Sequence, residues 1–267
     1  LRRKGTGLIT MGFRDERLWE ILKEKAEEED QGRRPDQQIK EKYLSAVESV
    51  CEYGVQRADT IRDTFPMYTL HNETHICNVM RLMEALLGDG AGRLSRDETA
   101  MLIMTACCHD IGMSYSEEDK EELFEDTDRL NLYLDSHCGE YVKAYQAGND
   151  TPQMTEDMIQ DYLRSIHHKR VRELLYKREW PQVLNGRIER EDLIRVCQSH
   201  GEDCEALEKI EPSPHMDLRF CGVLLRLADI LDFDTSRAPE AVYEYSGFGR
   251  VQSAAGIKSK EEWDKHI

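Results

Sequence analysis

Apolar positions recur every three or four residues through most of this chain, and that period predicts helices. In "DERLWEILKEKAEEE" the residues Leu18, Ile21 and Leu22 fall on one stripe with charges elsewhere. A charged loop, "DQGRRPDQQ", separates this helix from a longer one over 39–65, which has to stop before Pro66. "HNETHICNVMRLMEALLGDG" reads as a third helix, with Asn72 or Thr74 at its start and Gly88 at its end. "SRDETAMLIMTACCHDIG" opens on Ser95 with Glu98 three residues on, a capping pattern, and Gly112 is available as a stop.

The second half keeps the same period. "SYSEEDKEELFEDTDRLNLYLDSHCGEYVKAYQ" is acidic and helical, and "TPQMTEDMIQDYLRSIHHKRVRELLYK" predicts another helix or a bent pair. "IEREDLIRVCQSHGEDCEAL" predicts a helix ending near Gly201 and a short one after it. "HMDLRFCGVLLRLADILDFD" is the most apolar helix of the chain, and the tail beyond it is mixed. No repeat appears and strand-like alternation is almost absent, so the class is all-α.

Bulk properties narrow the picture further. At 267 residues the chain suits one large domain or one domain plus an appendage. It has no run of about 18 apolar residues, so no membrane span is expected. The basic start "LRRKG" lacks an apolar core of signal-peptide type. A formal net charge of −17 repels nucleic acid at long range and disfavours a nucleic-acid partner. The eight cysteines include no C-x-x-C pair and sit mostly inside apolar patterns. They read as reduced thiols of a cytoplasmic protein rather than a disulfide framework or a zinc finger.

The candidate chemistry lies in histidines and aspartates. His71 and His75 are four apart and share a helix face, an arrangement that also arises by chance. His109 and Asp110 follow the apolar run "AMLIMTACC" directly; they are either a polar cap or two metal ligands at a cavity edge. Asp229 sits among Leu225, Leu227, Ile230 and Leu231. Burying such a carboxylate alone costs roughly several kcal/mol, so it needs a partner: Arg226 three residues earlier, or a metal ion. "LRSIHHKR" holds His167 and His168, with Arg164 and Arg170 three residues either side of His167. That grouping suits a phosphate, which a guanidinium grips with two hydrogen bonds, or is merely a solvated basic stripe. His200 ends a helix as a cap or as a further ligand, and His137, His215 and His266 read as surface residues.

Taken in order, His75, His109–Asp110 and Asp229 resemble the H…HD…D signature of HD-domain metal-dependent phosphohydrolases. The likeness runs from about Tyr68 to Asp234. The blocks "YTLHNETH", "CCHDIGM", "SIHHKR", "SHGED" and "LLRLADILDFDTSRAP" resemble the subgroup fused ahead of a histidine-kinase-like ATPase domain. That subgroup is proposed to act as a catalytic effector in bacterial conflict systems, and "SKEEWDKH" resembles the segment just past its HD core. The resemblance implies a helical bundle with an N-terminal helical segment over 1–64, the HD domain over 65–240, and an extension over 241–267 leading toward an ATPase domain.

It also implies roles for the residues. His75, His109, Asp110 and Asp229 hold one divalent ion; His75 is preferred to His71 because "HICNV" fits the family's opening block. His167 and His200 hold a second ion with Asp110 as bridge, or face the substrate phosphate if there is one ion; His167 is preferred to His168 for its flanking arginines. Imidazole and carboxylate donors favour Mn, Fe, Co or Ni over Zn or Mg. Asp110, His167 and His200 are the expected catalytic residues, and Arg164 and Arg170 the phosphate-binding ones. The implied activity is hydrolysis of a nucleotide or a phosphodiester. The competing expectation is a non-catalytic nucleotide- or metal-sensing module coupled to an ATPase. The oligomeric state is left open by the sequence, with the first two amphipathic helices as a surface that could pair with another chain in a homo-oligomer.

Overall fold

A computed structural model describes residues 12–66, 68–119 and 156–237, together with positions 122, 243, 260, 261 and 263–265. Among these residues every regular element is a helix; the one β feature is an isolated bridge between Ser213 and Met216. The helices are α1 (Arg17–Asp30), α2 (Lys40–Thr64), α3 (Glu73–Leu87), α4 (Arg96–Cys108), α5 (Glu156–Tyr176), α6 (Arg190–Ser199), α7 (Cys204–Glu208) and α8 (Leu218–Leu231). No helix of the described residues is long and apolar enough to cross a membrane. Most of the expected acidic helix after Ser114, together with Cys138, His137, His266 and most of the tail, lies outside the described residues.

Helix α4 is the axis of the bundle. Its apolar residues point all round, and every residue of the helix except Glu98 is buried. The predicted cap forms: Ser95 Oγ accepts from the Glu98 N–H at 3.1 Å, and Glu98 Oε2 accepts from the Ser95 N–H at 2.8 Å. Helices α1, α2, α3 and α6 pack around α4. Helix α2 comes closest, because Gly54 lies against the α4 backbone; a Cβ there would stand 2.2 Å from Cys107 O. Helix α2 lacks a capping side chain of its own at Ile39. The buried Asp30, last residue of α1, serves instead, accepting from the Ile39 and Lys40 N–H groups at 2.9 and 2.7 Å.

Asn72 caps α3 as predicted, its side chain accepting from the Thr74 N–H. Helix α5 is one continuous helix rather than a bent pair. Helix α8 buries Leu218, Cys221, Leu224, Leu225 and Ala228 and packs on α3 and α6. All described cysteines are free, and Cys204 alone among them is exposed.

The expectation for Gly112 is corrected. Helix α4 ends at Cys108, before that glycine is reached, and Ile111–Met113 form a 3-10 turn against α5. Gly112 is required there by proximity: a Cβ on it would lie 1.8 Å from His167 O.

Candidate metal centre

Five helices deliver the side chains, and three of them do so at their C-terminal ends. His109 is the residue immediately after α4, His200 stands in the same place after α6, and Asp229 and Asp232 lie in and just beyond the last turn of α8. A helix C-terminus carries unpaired carbonyls and a partial negative charge, so three of them converging favour a cation. His75 comes from the first turns of α3 and His167 from the middle of α5.

The imidazoles are oriented alike. Nδ1 of His109, His167 and His200 lies 3.0, 2.5 and 2.5 Å from the carbonyl oxygens of Ala106, Arg164 and Cys197, each three residues earlier. His75 Nδ1 lies 2.7 Å from Asp232 Oδ2. Carbonyl and carboxylate oxygens only accept, so each Nδ1 carries the proton and each Nε2 presents a lone pair inward. Those four lone pairs fall into two groups.

In the first, His75 Nε2 and His109 Nε2 are 3.2 Å apart. Asp110 Oδ2 is 3.5 and 3.1 Å from them, and Asp229 Oδ1 is 3.4 and 3.8 Å from them. In the second, His167 Nε2 and His200 Nε2 are 2.8 Å apart, and each is 3.5 Å from Asp110 Oδ1. Asp110 therefore offers one carboxylate oxygen to each group. Two nitrogens about 2.1 Å from one ion and at right angles about it lie about 3.0 Å apart, so both spacings fit a shared ion. Without one, two facing lone pairs at this distance repel unless a proton lies between them. The two sets could each hold a metal ion.

The electrostatics agree. Burial opposes charge on Asp110, yet His109 foremost, with His167 and His200, holds its carboxyl well below the usual carboxylate range. Burial likewise opposes charge on Asp229, and His75 and His109 hold it down. For His75, burial and Arg237 push the pKa down, but the carboxylates of Asp110, Asp229 and Asp232 override them and raise it to about 10. A site that draws a proton so strongly onto one imidazole is one that a cation satisfies. Thiols do not compete: burial pushes the neighbouring Cys107 and Cys197 well up and keeps them protonated.

The structure separates the residue pairs that the sequence left open. His71 has both ring nitrogens engaged, Nδ1 with Thr69 O at 2.6 Å and Nε2 with Arg237 Nη2 at 3.0 Å. His168 is buried behind His167, its ring against Gly201, and burial with the neighbouring imidazoles lowers its pKa to about 4. Arg226 is not the partner of Asp229; it donates to Ser199 O and Asp203 O.

Arg170 needs correction as a phosphate ligand. Its side chain is buried, paired with Asp119 at 2.7 Å, donates to Gly112 O and Ser114 O, and stacks on Tyr115 at 3.8 Å. It fixes the loop after the His109–Asp110 turn, through the Nη1 hydrogen bonds to Gly112 O and Ser114 O and the ion pair of Nη2 with Asp119. Arg164, half-buried, lies over the Tyr68 ring at 5.0 Å. His215 is exposed.

Asp232 was missed by sequence reasoning. It is wholly buried, holds His75 Nδ1, and is itself held by Asn78 Nδ2 at 3.1 Å and by Arg237 at 3.7 Å. The only signal was its position three residues after Asp229, which reads equally as a helix end. Asp232→Asn should weaken metal binding at the His75 set by about 10- to 100-fold and leave metal binding at the His167–His200 set unchanged. Metal titration monitored calorimetrically checks this, and equal weakening at both sets would refute it.

Comparison with family models matches residues 65–267 to the family described as HD-CE. The matched span holds every residue of both donor sets. No curated protein and no solved structure matches the chain.

Proposed function

The chain belongs to the HD-CE family, and from that premise we propose that it is a two-ion phosphohydrolase that cleaves a phosphodiester. The observation that carries this reading is the carboxylate of Asp110, which faces two imidazole pairs with its two oxygens. Ions bound there would supply Lewis acidity toward phosphoryl oxygens and acidify a water. Mn, Fe, Co or Ni suit the all-imidazole and carboxylate set best.

The chain's own groups do the rest. Nδ1 hydrogen bonds lock each ring, so the donors are in position before substrate arrives. Arg164 lies over Tyr68, one residue before Thr69, which anchors His71, and is the guanidinium we assign to the substrate phosphate now that Arg170 is otherwise engaged. The net charge of −17 favours a small phosphate ester over a long nucleic acid. A cytoplasmic setting suits the free thiols, and the subgroup resemblance adds an effector role in bacterial conflict beside an ATPase domain.

The test is metal content together with turnover. Purified protein should carry two ions per chain, hydrolyse a chromogenic phosphodiester, and lose that activity to a chelator. One ion per chain with turnover of nucleotide monophosphates would move His167 and His200 onto the substrate phosphate. Metal binding with nucleotide-dependent thermal stabilisation and no turnover would replace the enzyme with a sensing module.

A further inference from the structure

The turn that follows α8 reaches back to the start of α3 through Arg237. Thr235–Arg237 form a 3-10 turn, and Arg237 at its end is buried. Its backbone oxygen accepts from the Leu70 N–H at 2.9 Å. Its guanidinium donates from Nε to Leu70 O at 3.4 Å and from Nη2 to His71 Nε2 at 3.0 Å. Nε also lies 3.7 Å from Asp232 Oδ2, the oxygen that holds His75 Nδ1 at 2.7 Å. The rings of His71 and His75 pack edge to face, with centroids 5.6 Å apart. Each of these contacts leads to His75, either through the carboxylate behind its ring or through the segment that runs into its helix.

We propose that Arg237 is a positioning residue of the metal centre, fixing at once the carboxylate that orients His75 and the segment that carries His75 into place. The inference rests on the reading of the two donor sets as metal sites, and it concerns the first set alone. Burial is one argument. A buried guanidinium is costly unless its charge and its donors are both met. Here the charge is met by Asp232 and the donors by Leu70 and His71. Asp232 depends on the pairing as much, because its side chain is wholly buried and its partner on the other oxygen, Asn78, is a neutral amide. Without Arg237 that carboxylate is free to turn toward whatever donor remains, and His75 turns with it.

Shape is the other argument. Nε and Nη2 lie on one edge of a rigid plane, so together they engage acceptors on two successive residues, Leu70 and His71. His71 can only accept there, because its Nδ1 proton is used on Thr69 O at 2.6 Å. A lysine brings the same charge as a single ammonium on a flexible stem, and cannot hold that pair and Asp232 together. Charge and positioning also act in opposite directions. A positive group beside a cation site repels the ion, so Coulomb's law alone makes binding tighter when Arg237 is removed. Loss of positioning makes it weaker.

Titration of Co(II) into the chelator-stripped 267-residue chain, followed by calorimetry and by visible d–d absorption, tests this. His75→Ala and His167→Ala assign the two binding events. Arg237→Lys, which keeps the charge, should raise the dissociation constant of the His75 set by about 10-fold and shift its absorption band, and Arg237→Met should raise it at least as much. Binding at the His167–His200 set should stay within about two-fold of the wild type in both variants. Unchanged or tighter binding at the His75 set in either variant would overturn the proposal. So would equal weakening of both sets, with or without loss of helical dichroism, which would make Arg237 a support of the fold. A wild type that takes up no Co(II) would remove the metal-site reading and this inference with it. Weakening confined to the His75 set, in a protein without phosphodiester turnover, would sustain the inference and remove only the proposed reaction.

Discussion

Asp110→Ala should take a ligand from both donor sets at once and abolish turnover. Among the described residues no other side chain serves both groups: Asp110 Oδ2 is 3.1 Å from His109 Nε2, and Oδ1 is 3.5 Å from the Nε2 atoms of both His167 and His200. Its loss leaves the second set with two imidazoles and the first with two imidazoles and Asp229. Two neutral imidazoles alone hold a divalent ion poorly, and the bridging charge that brings two cations close together is gone. Metal content should fall from two ions per chain to less than one, and phosphodiester turnover by at least about 1,000-fold. Elemental analysis and initial rates measure both quantities. The helical dichroism should persist, because the core around α4 does not depend on this side chain. A variant that keeps its ions and its rate would remove the basis of the proposed activity.

Gly112→Ala comes next in size, and it reaches the same centre through the backbone. The added methyl would stand 1.8 Å from His167 O and 2.7 Å from its carbonyl carbon, where ordinary contacts begin near 3.4 Å. The obstacle is helix backbone, not the end of a flexible side chain, so α5 has to move by more than about 1 Å. That movement carries His167 away from Asp110. The expected result is a stability loss of about 1–3 kcal/mol, a fall of several degrees in Tm, and turnover reduced by about 100-fold. The ion on His75, His109 and Asp229 should remain while the second becomes labile. Metal stoichiometry separates this from general unfolding: loss of both ions in parallel with helicity would point to collapse of the fold, and two retained ions with wild-type turnover would contradict the close approach.

These two residues differ in how far the sequence announced them, and the same contrast runs through the fold. The apolar period over 17–30, 40–64 and 96–108 located α1, α2 and α4, and the Ser95–Glu98 cap was legible because capping is a local reaction between residues three apart. The apolar surroundings of Asp229 signalled a buried carboxylate in need of a partner. Arg170 misled because spacing along a helix reports which residues share a stripe, not what a neighbouring segment brings against it. Asp119, Ser114 and Tyr115 are more than fifty residues away in the chain and occupy that guanidinium.

The sequence by itself determined an all-α chain and a set of histidines and aspartates able to hold metal, because helical period and donor chemistry are properties of residues and their near neighbours. Only the tertiary structure decided that Asp110 faces two imidazole pairs, that Asp232 holds His75 while His71 is bound to Arg237, and that Gly112 is fixed by α5. Each of those is a relation between segments distant in the chain. They arise from how helix ends converge and how closely backbones approach, which no local pattern of residues encodes.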